Sequence, residues 1–97
     1  MKPLLLRDAA RTDLSEVFQW YEKRRPGLGY EFLQATRVTL GALERNPEEH
    51  PLVAADIRKA PLRRFPYLVY FVVLDAGVSV IAVMHGRRNP QRWQERR

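Results

Sequence analysis

Apolar residues at Ala10, Leu14, Val17, Phe18 and Tyr21 recur at intervals of three and four, which places them on one face of a helix. Asp8 stands ahead of that run as a candidate N-cap, and Arg24, Arg25, Pro26 and Gly27 interrupt it. The period resumes with Phe32, Thr36, Thr39 and Leu43, flanked by Leu33 and Leu40. It predicts a second helix from about Gly29 to Arg45, closed by Asn46 and Pro47. So short a connection makes the two helices antiparallel neighbours. Ahead of them, Pro3 to Arg7 reads as a short strand.

Beyond Val53 the apolar period shortens to that of strands. Val53 to Lys59 and Leu62 to Phe65 are predicted as two short strands broken by Pro61 and Pro66. Leu68 to Leu74 is wholly apolar, Asp75, Ala76 and Gly77 supply a tight turn, and Val78 to Met84 is a second apolar run. These two runs predict a hairpin buried on both faces. From Gly86 the chain is polar apart from Trp93, and Pro90 excludes a long strand there. The fold class is therefore α+β: a small antiparallel sheet with two N-terminal antiparallel helices packed on it, in the order β-α-α-β-β-β.

A chain of 97 residues has room for one core, so a single domain is expected over 1–97, with a basic tail at 86–97. Hydrophobic residues at 45% and charged residues at 29% give the balance of an ordinary folded domain. Cysteine is absent, which excludes a disulfide framework, a thiolate metal site and a cysteine nucleophile, and a cytoplasmic location is expected. Leu4 to Leu6 is too short an apolar run for a signal-peptide core or a membrane span, so no membrane partner is expected.

The net charge of +6 lies in the second half of the chain. Residues 1–50 hold eight basic and eight acidic side chains, whereas residues 51–97 hold nine basic ones against Asp56, Asp75 and Glu95. One cluster is Arg58, Lys59, Arg63 and Arg64; the other is Arg87, Arg88, Arg92, Arg96 and Arg97. Such a field attracts nucleic acid or an acidic protein segment, and arginine adds forked contacts to phosphate and carboxylate.

Several residues, in this order of elements, carry a family resemblance. They are Ala10, Asp13 and Leu14; Trp20 and Tyr21; Gly27 to Phe32; Asn46 and Pro47; Ile57 and Arg58; Arg64 to Tyr70; and Val83 to Arg88 with Pro90 and Trp93. Over nearly its whole length the chain resembles the RelE/ParE superfamily, the toxin halves of type II toxin-antitoxin systems. The resemblance implies a growth inhibitor that is neutralised by a cognate antitoxin through a flexible, acidic segment, and it implies no cofactor. Two activities share the fold, and the fold does not decide between them. RelE-like members cleave messenger RNA on the ribosome without a metal; ParE-like members inhibit DNA gyrase. An inactive basic binding module is a third reading.

Metal-independent RNA cleavage needs a base for the 2′-hydroxyl, cations on the phosphate and an acid for the leaving oxygen. His85, Arg64, Arg58 and Tyr67 are the candidates for those roles. Where RelE-like members carry an arginine at the start of the long hairpin strand, this chain has Tyr67, and the stretch Val83 to Arg88 resembles the ParE branch. The comparison favours gyrase inhibition. Target contacts are assigned to Arg87, Arg88, Arg92, Trp93 and His85, and antitoxin contacts to Arg58, Arg63 and Arg64.

His85 has two readings, a group for acid-base work near neutrality and a structural residue at a strand end. A metal-ligand role for His85 is not expected, because the other histidine, His50, sits in a proline-flanked loop and no cysteine completes a site. Trp20 and Tyr21 read as packing between helix and sheet, the other reading being a base-stacking platform. Trp93 is assigned to a partner surface, the other reading being a pin between tail and sheet. The segment from His85 to Arg97 is expected to carry toxicity while adding little to stability.

Overall fold

The two apolar stripes form the helices they predict. In the computed structural model, which describes residues 1–87 and 90–97, β1 (Leu4–Leu6) leads into α1 (Asp8–Arg24) and α2 (Leu28–Arg45). Asp8 does not cap α1: Arg7 holds the capping position with no side-chain bond, and Asp8 lies in the first turn, where its charge meets the positive end of the helix. Gly27, at a φ of 93°, lets the chain reverse between the helices, a conformation that other residues rarely adopt. The Glu22 carboxylate accepts the backbone N–H groups of Gly27 and Gly29 at 2.8 and 2.9 Å, satisfying donors that the start of α2 would leave orphaned. Gly29 is where the helices touch, since a Cβ there would lie 2.7 Å from the Phe18 ring and from its carbonyl.

After a 3-10 turn at Pro47–Glu49 come β2 (Leu52–Ala54), β3 (Ile57–Pro61), β4 (Tyr67–Leu74), β5 (Gly77–His85) and a short α3 (Pro90–Gln94). The strands form one sheet in the order β1-β5-β4-β3-β2. Its pairings are antiparallel except the first, where β1 runs parallel to β5 and Leu4 faces Val78.

Two sequence expectations change here. Val53 to Lys59 is not one strand but the hairpin of β2 and β3, folded at Ala55, whose φ is 46°. Leu62 to Phe65 is not a strand at all. It is a loop with Arg64 in the left-handed region at φ 71°, and it inserts Leu62 and Phe65, each 7% exposed, into the core. The apolar spacing that suggested a strand comes from plugging the core, with no partner strand alongside.

The helices cover one face of the sheet through Ala10, Phe32 and Leu43, which meet Val69, Phe71, Val80 and Val83. Tyr21, Phe32, Phe65 and Tyr67 close one end of that layer with edge-to-face ring contacts between 5.0 and 6.2 Å. The opposite face carries Ile57, Tyr70, Val72, Ile81, Ala82 and Met84. Tyr70 pairs with Ala82 and Phe71 with Val80, so Ile81 is an extra residue in β5, and this bulge turns Ile81 and Ala82 to the same side.

That second face would lie bare without α3. Trp93 is 5% exposed and stacks on Tyr70 with ring centroids 4.5 Å apart and planes 11° from parallel. Arg96 pairs with Asp13, Arg97 with Asp56, and Arg7 donates to the Arg96 carbonyl at 2.9 Å. The tail is therefore an integrated layer of the fold, contrary to the expectation that it adds little to stability.

Candidate functional site

β1 pairs only with Val78 to Val80, so the rest of the outer edge of β5 needs another cover. Asp13 of α1 accepts the Val83 N–H at 2.9 Å, and the Arg96 guanidinium donates to the Ile81 carbonyl at 3.2 Å. Arg96 also holds both oxygens of Asp13, at 2.5 and 3.1 Å. An ion pair thus occupies an edge where a further strand would otherwise dock. The Asp13 side chain is only 11% exposed and that of Arg96 26%, so each charge depends on the other.

Beside this pair opens a cleft of about 330 Å³. Its walls come from four elements spread along the sequence. α1 supplies Glu16 and Trp20, the paired ends of β4 and β5 supply Tyr67 and His85, and α3 supplies Arg92. Tyr67 and His85 face each other across the strands with ring centroids 5.4 Å apart. The Nδ1 of His85 accepts the Arg87 N–H at 3.1 Å, which in the neutral ring places the proton on Nε2. Behind the cleft, burial and then the neighbouring Tyr67 push the Tyr21 hydroxyl above the usual tyrosine range, so it stays a neutral phenol.

Trp20 is not the packing residue that its neighbour Tyr21 is. It is 49% exposed, and the Arg24 guanidinium lies 3.9 Å from its ring centre. Successive helical residues point about 100° apart, so Trp20 leaves the core stripe and joins a second one, Asp13, Glu16, Trp20 and Arg24, spaced i, i+3, i+7 and i+11.

The tail residues divide. Arg87 and Arg92 are exposed, Arg92 within the cleft wall, while Arg88 lies outside the described residues. Trp93 faces inward onto Tyr70, because the apolar second face of β4 and β5 requires a cover. Arg96 and Arg97 are engaged with Asp13 and Asp56.

The first basic cluster divides as well. Arg58 donates to the carbonyls of Glu48 and His50 at 3.3 and 2.7 Å, bracing the turn before β2. Arg63 and Arg64 instead flank a groove along α2 with Glu31, Gln34, Ala35 and Val38, of which Val38 is 56% exposed. Arg64 and Arg25 both pair with Glu31, and their hydrogen bonds, Arg64's foremost, hold its carboxyl below the usual range. Of the four nuclease candidates, only His85 and Tyr67 meet; Arg58 and Arg64 do not line the cleft.

Asp13, Glu16, Trp20 and Arg96 were missed as site residues by sequence reasoning. The second stripe on α1 was the available signal for three of them. Nothing local connects Arg96 to Asp13. Among the described residues, no three His, Asp or Glu side chains are placed to hold a metal ion.

Over residues 4–90 the chain matches the family model described as ParE toxin of type II toxin-antitoxin system, parDE. No curated protein matches it in sequence. Among solved structures it is similar to a chain of the chromosomal ParDE toxin-antitoxin system from P. aeruginosa, with a TM-score of 0.79 at 18% identity. That similarity covers 88% of this chain and 96% of the other, and at such low identity it speaks to the fold.

Proposed function

Since the chain belongs to the ParE toxin family of type II toxin-antitoxin systems, we propose that it arrests growth by inhibiting DNA gyrase, and that the flexible, acidic segment of a cognate antitoxin neutralises it. The observation that carries the choice of target is the pairing of Tyr67 with His85 at the cleft. In the RelE-like plan an arginine would stand at the Tyr67 position to clamp the scissile phosphate. Here the strand and loop arginines among the nuclease candidates are committed elsewhere, Arg58 to the carbonyls of Glu48 and His50 and Arg64 to Glu31. A cleaved phosphate gains its largest stabilisation from preorganised cations, and Arg58 and Arg64 are held away from the cleft.

On this reading His85, Arg87 and Arg92, with Arg88 between them in sequence, contact the target, while Arg63 and Arg64 receive the antitoxin. Their groove, with an exposed Val38 beside a basic rim, suits a segment that alternates apolar and acidic side chains. Arg58 is removed from that group by its structural bonds.

The test is a supercoiling assay with purified protein and gyrase, alongside transcripts from translating extracts. Inhibition of supercoiling with intact transcripts is the expected result. Codon-positioned cuts abolished by His85→Ala would replace this reading with the RelE-like one. The product of the adjacent reading frame should co-purify with the toxin and bind more weakly as salt rises.

A further inference from the structure

We infer that α1, and not the tail alone, recognises the target: an anchor side chain of the target protein seats in the cleft against Trp20, and acidic residues beside that anchor meet the arginines on the rim. This rests on the gyrase reading and names a surface for it. Trp20 is a large aromatic left 49% exposed on a helix whose core stripe is otherwise inward, and it borders a concavity of about 330 Å³, the lower end of the size of sites that take a buried group. Tryptophan and arginine in a partly desolvated pocket are the residue types that dominate binding energy at protein interfaces.

The charge of the surface describes the occupant. Asp13 is neutralised by Arg96. Glu16 remains in the cleft wall together with the positive group of Arg92, and Arg24 adds another over the Trp20 ring. A continuous phosphate chain would bring uniform negative charge against Glu16. A protein segment matches the mixed pattern better, with a hydrogen-bond donor near Glu16 and carboxylates toward Arg24 and Arg92. The stacking of Arg24 on Trp20 restrains both side chains before binding, which reduces the ordering cost at the moment of contact.

The experiment compares wild type, Trp20→Ala, Arg92→Glu and, as a control on the exposed edge of β2, Leu52→Ala. Each is assayed for inhibition of gyrase supercoiling, for binding to the same plasmid without gyrase, and for thermal unfolding. Trp20→Ala and Arg92→Glu should each raise the concentration for half inhibition about tenfold or more, with melting little changed and Leu52→Ala unaffected.

Full potency in a folded Trp20→Ala protein overturns the inference and leaves the gyrase reading standing. Should Trp20→Ala not fold, full potency in Arg92→Glu has the same force. An equal loss of plasmid binding without gyrase also overturns it, by making the cleft a nucleic-acid site. A wild type that leaves gyrase untouched removes the gyrase reading, and the inference with it.

Discussion

Asp13 and Arg96, 83 positions apart in the chain, meet as a two-pronged ion pair at 2.5 and 3.1 Å while the same carboxylate holds the Val83 N–H. One side chain thus joins α1, the open edge of β5 and the end of the chain. Asp13→Ala leaves a largely buried guanidinium and a strand N–H without their acceptor and should destabilise the fold by roughly 3 kcal/mol. Urea unfolding measures that loss. Limited proteolysis should cut at Arg92 and Arg96 before the core opens, and an unchanged cleavage pattern would show that α3 is held without this pair.

Trp93→Ala tests the tail as a structural layer. The substitution uncovers Tyr70 and the apolar face around Ile81 and Met84. A loss of about 3 kcal/mol is expected, at the lower end for a buried tryptophan because α3 is short. Deletion of residues 86–97 should cost at least as much. A deletion variant that melts with the wild type would restore the view of the tail as an appendage.

Two glycines of α2 should respond in opposite directions to alanine. At Gly29 the new methyl group meets the ring and carbonyl of Phe18 at 2.7 Å, so the helices must separate, at a cost of about 1 to 3 kcal/mol. At Gly41 it meets only the far end of the Arg45 side chain at 3.5 Å, and the helix gains roughly 0.5 to 1 kcal/mol. Paired denaturation curves decide whether the helix contact is as close as described.

Acid should loosen two surface tethers. Hydrogen bonds from Arg97 hold the Asp56 carboxyl below its usual range, as those from Arg64 and Arg25 do for Glu31. A carboxylate with a depressed folded pKa adds stability that is complete above its unfolded pKa and is lost as pH falls through the folded one. The loss should therefore begin below about pH 4. Asp56→Asn and Glu31→Gln should each flatten the fall in melting temperature over that range, and curves parallel to wild type would exclude the tethers as its source.

Both helices and the central hairpin were legible in the sequence because their periods are long and uniform, and burial of β4 and β5 on two faces showed as unbroken apolar runs. Leu62 and Phe65 were misread because a loop that plugs a core has the same spacing as a short strand. Trp20 was assigned to packing because it adjoins Tyr21, although one residue is a 100° turn about a helix. The arginines of the tail looked alike as charge, yet Arg96 and Arg97 bind the fold while Arg87 and Arg92 remain exposed. Only the partners distinguish them, and those lie 83 and 41 positions away. α3 left one local mark, a proline at its first position followed by four residues without a helix breaker.

The parallel seam between β1 and β5 orders events in time. β1 is made before the rest of the sheet, and its strand partner among the described residues, β5, follows both long helices and three further strands. Contacts of such long sequence separation form slowly and late, since the intervening loop must close before they stabilise anything. A nascent chain therefore carries an unfinished sheet, and the cleft, walled by β5 and α3, is absent until both of those elements have emerged. From then until that seam closes, the chain holds every residue of its cleft and has no cleft.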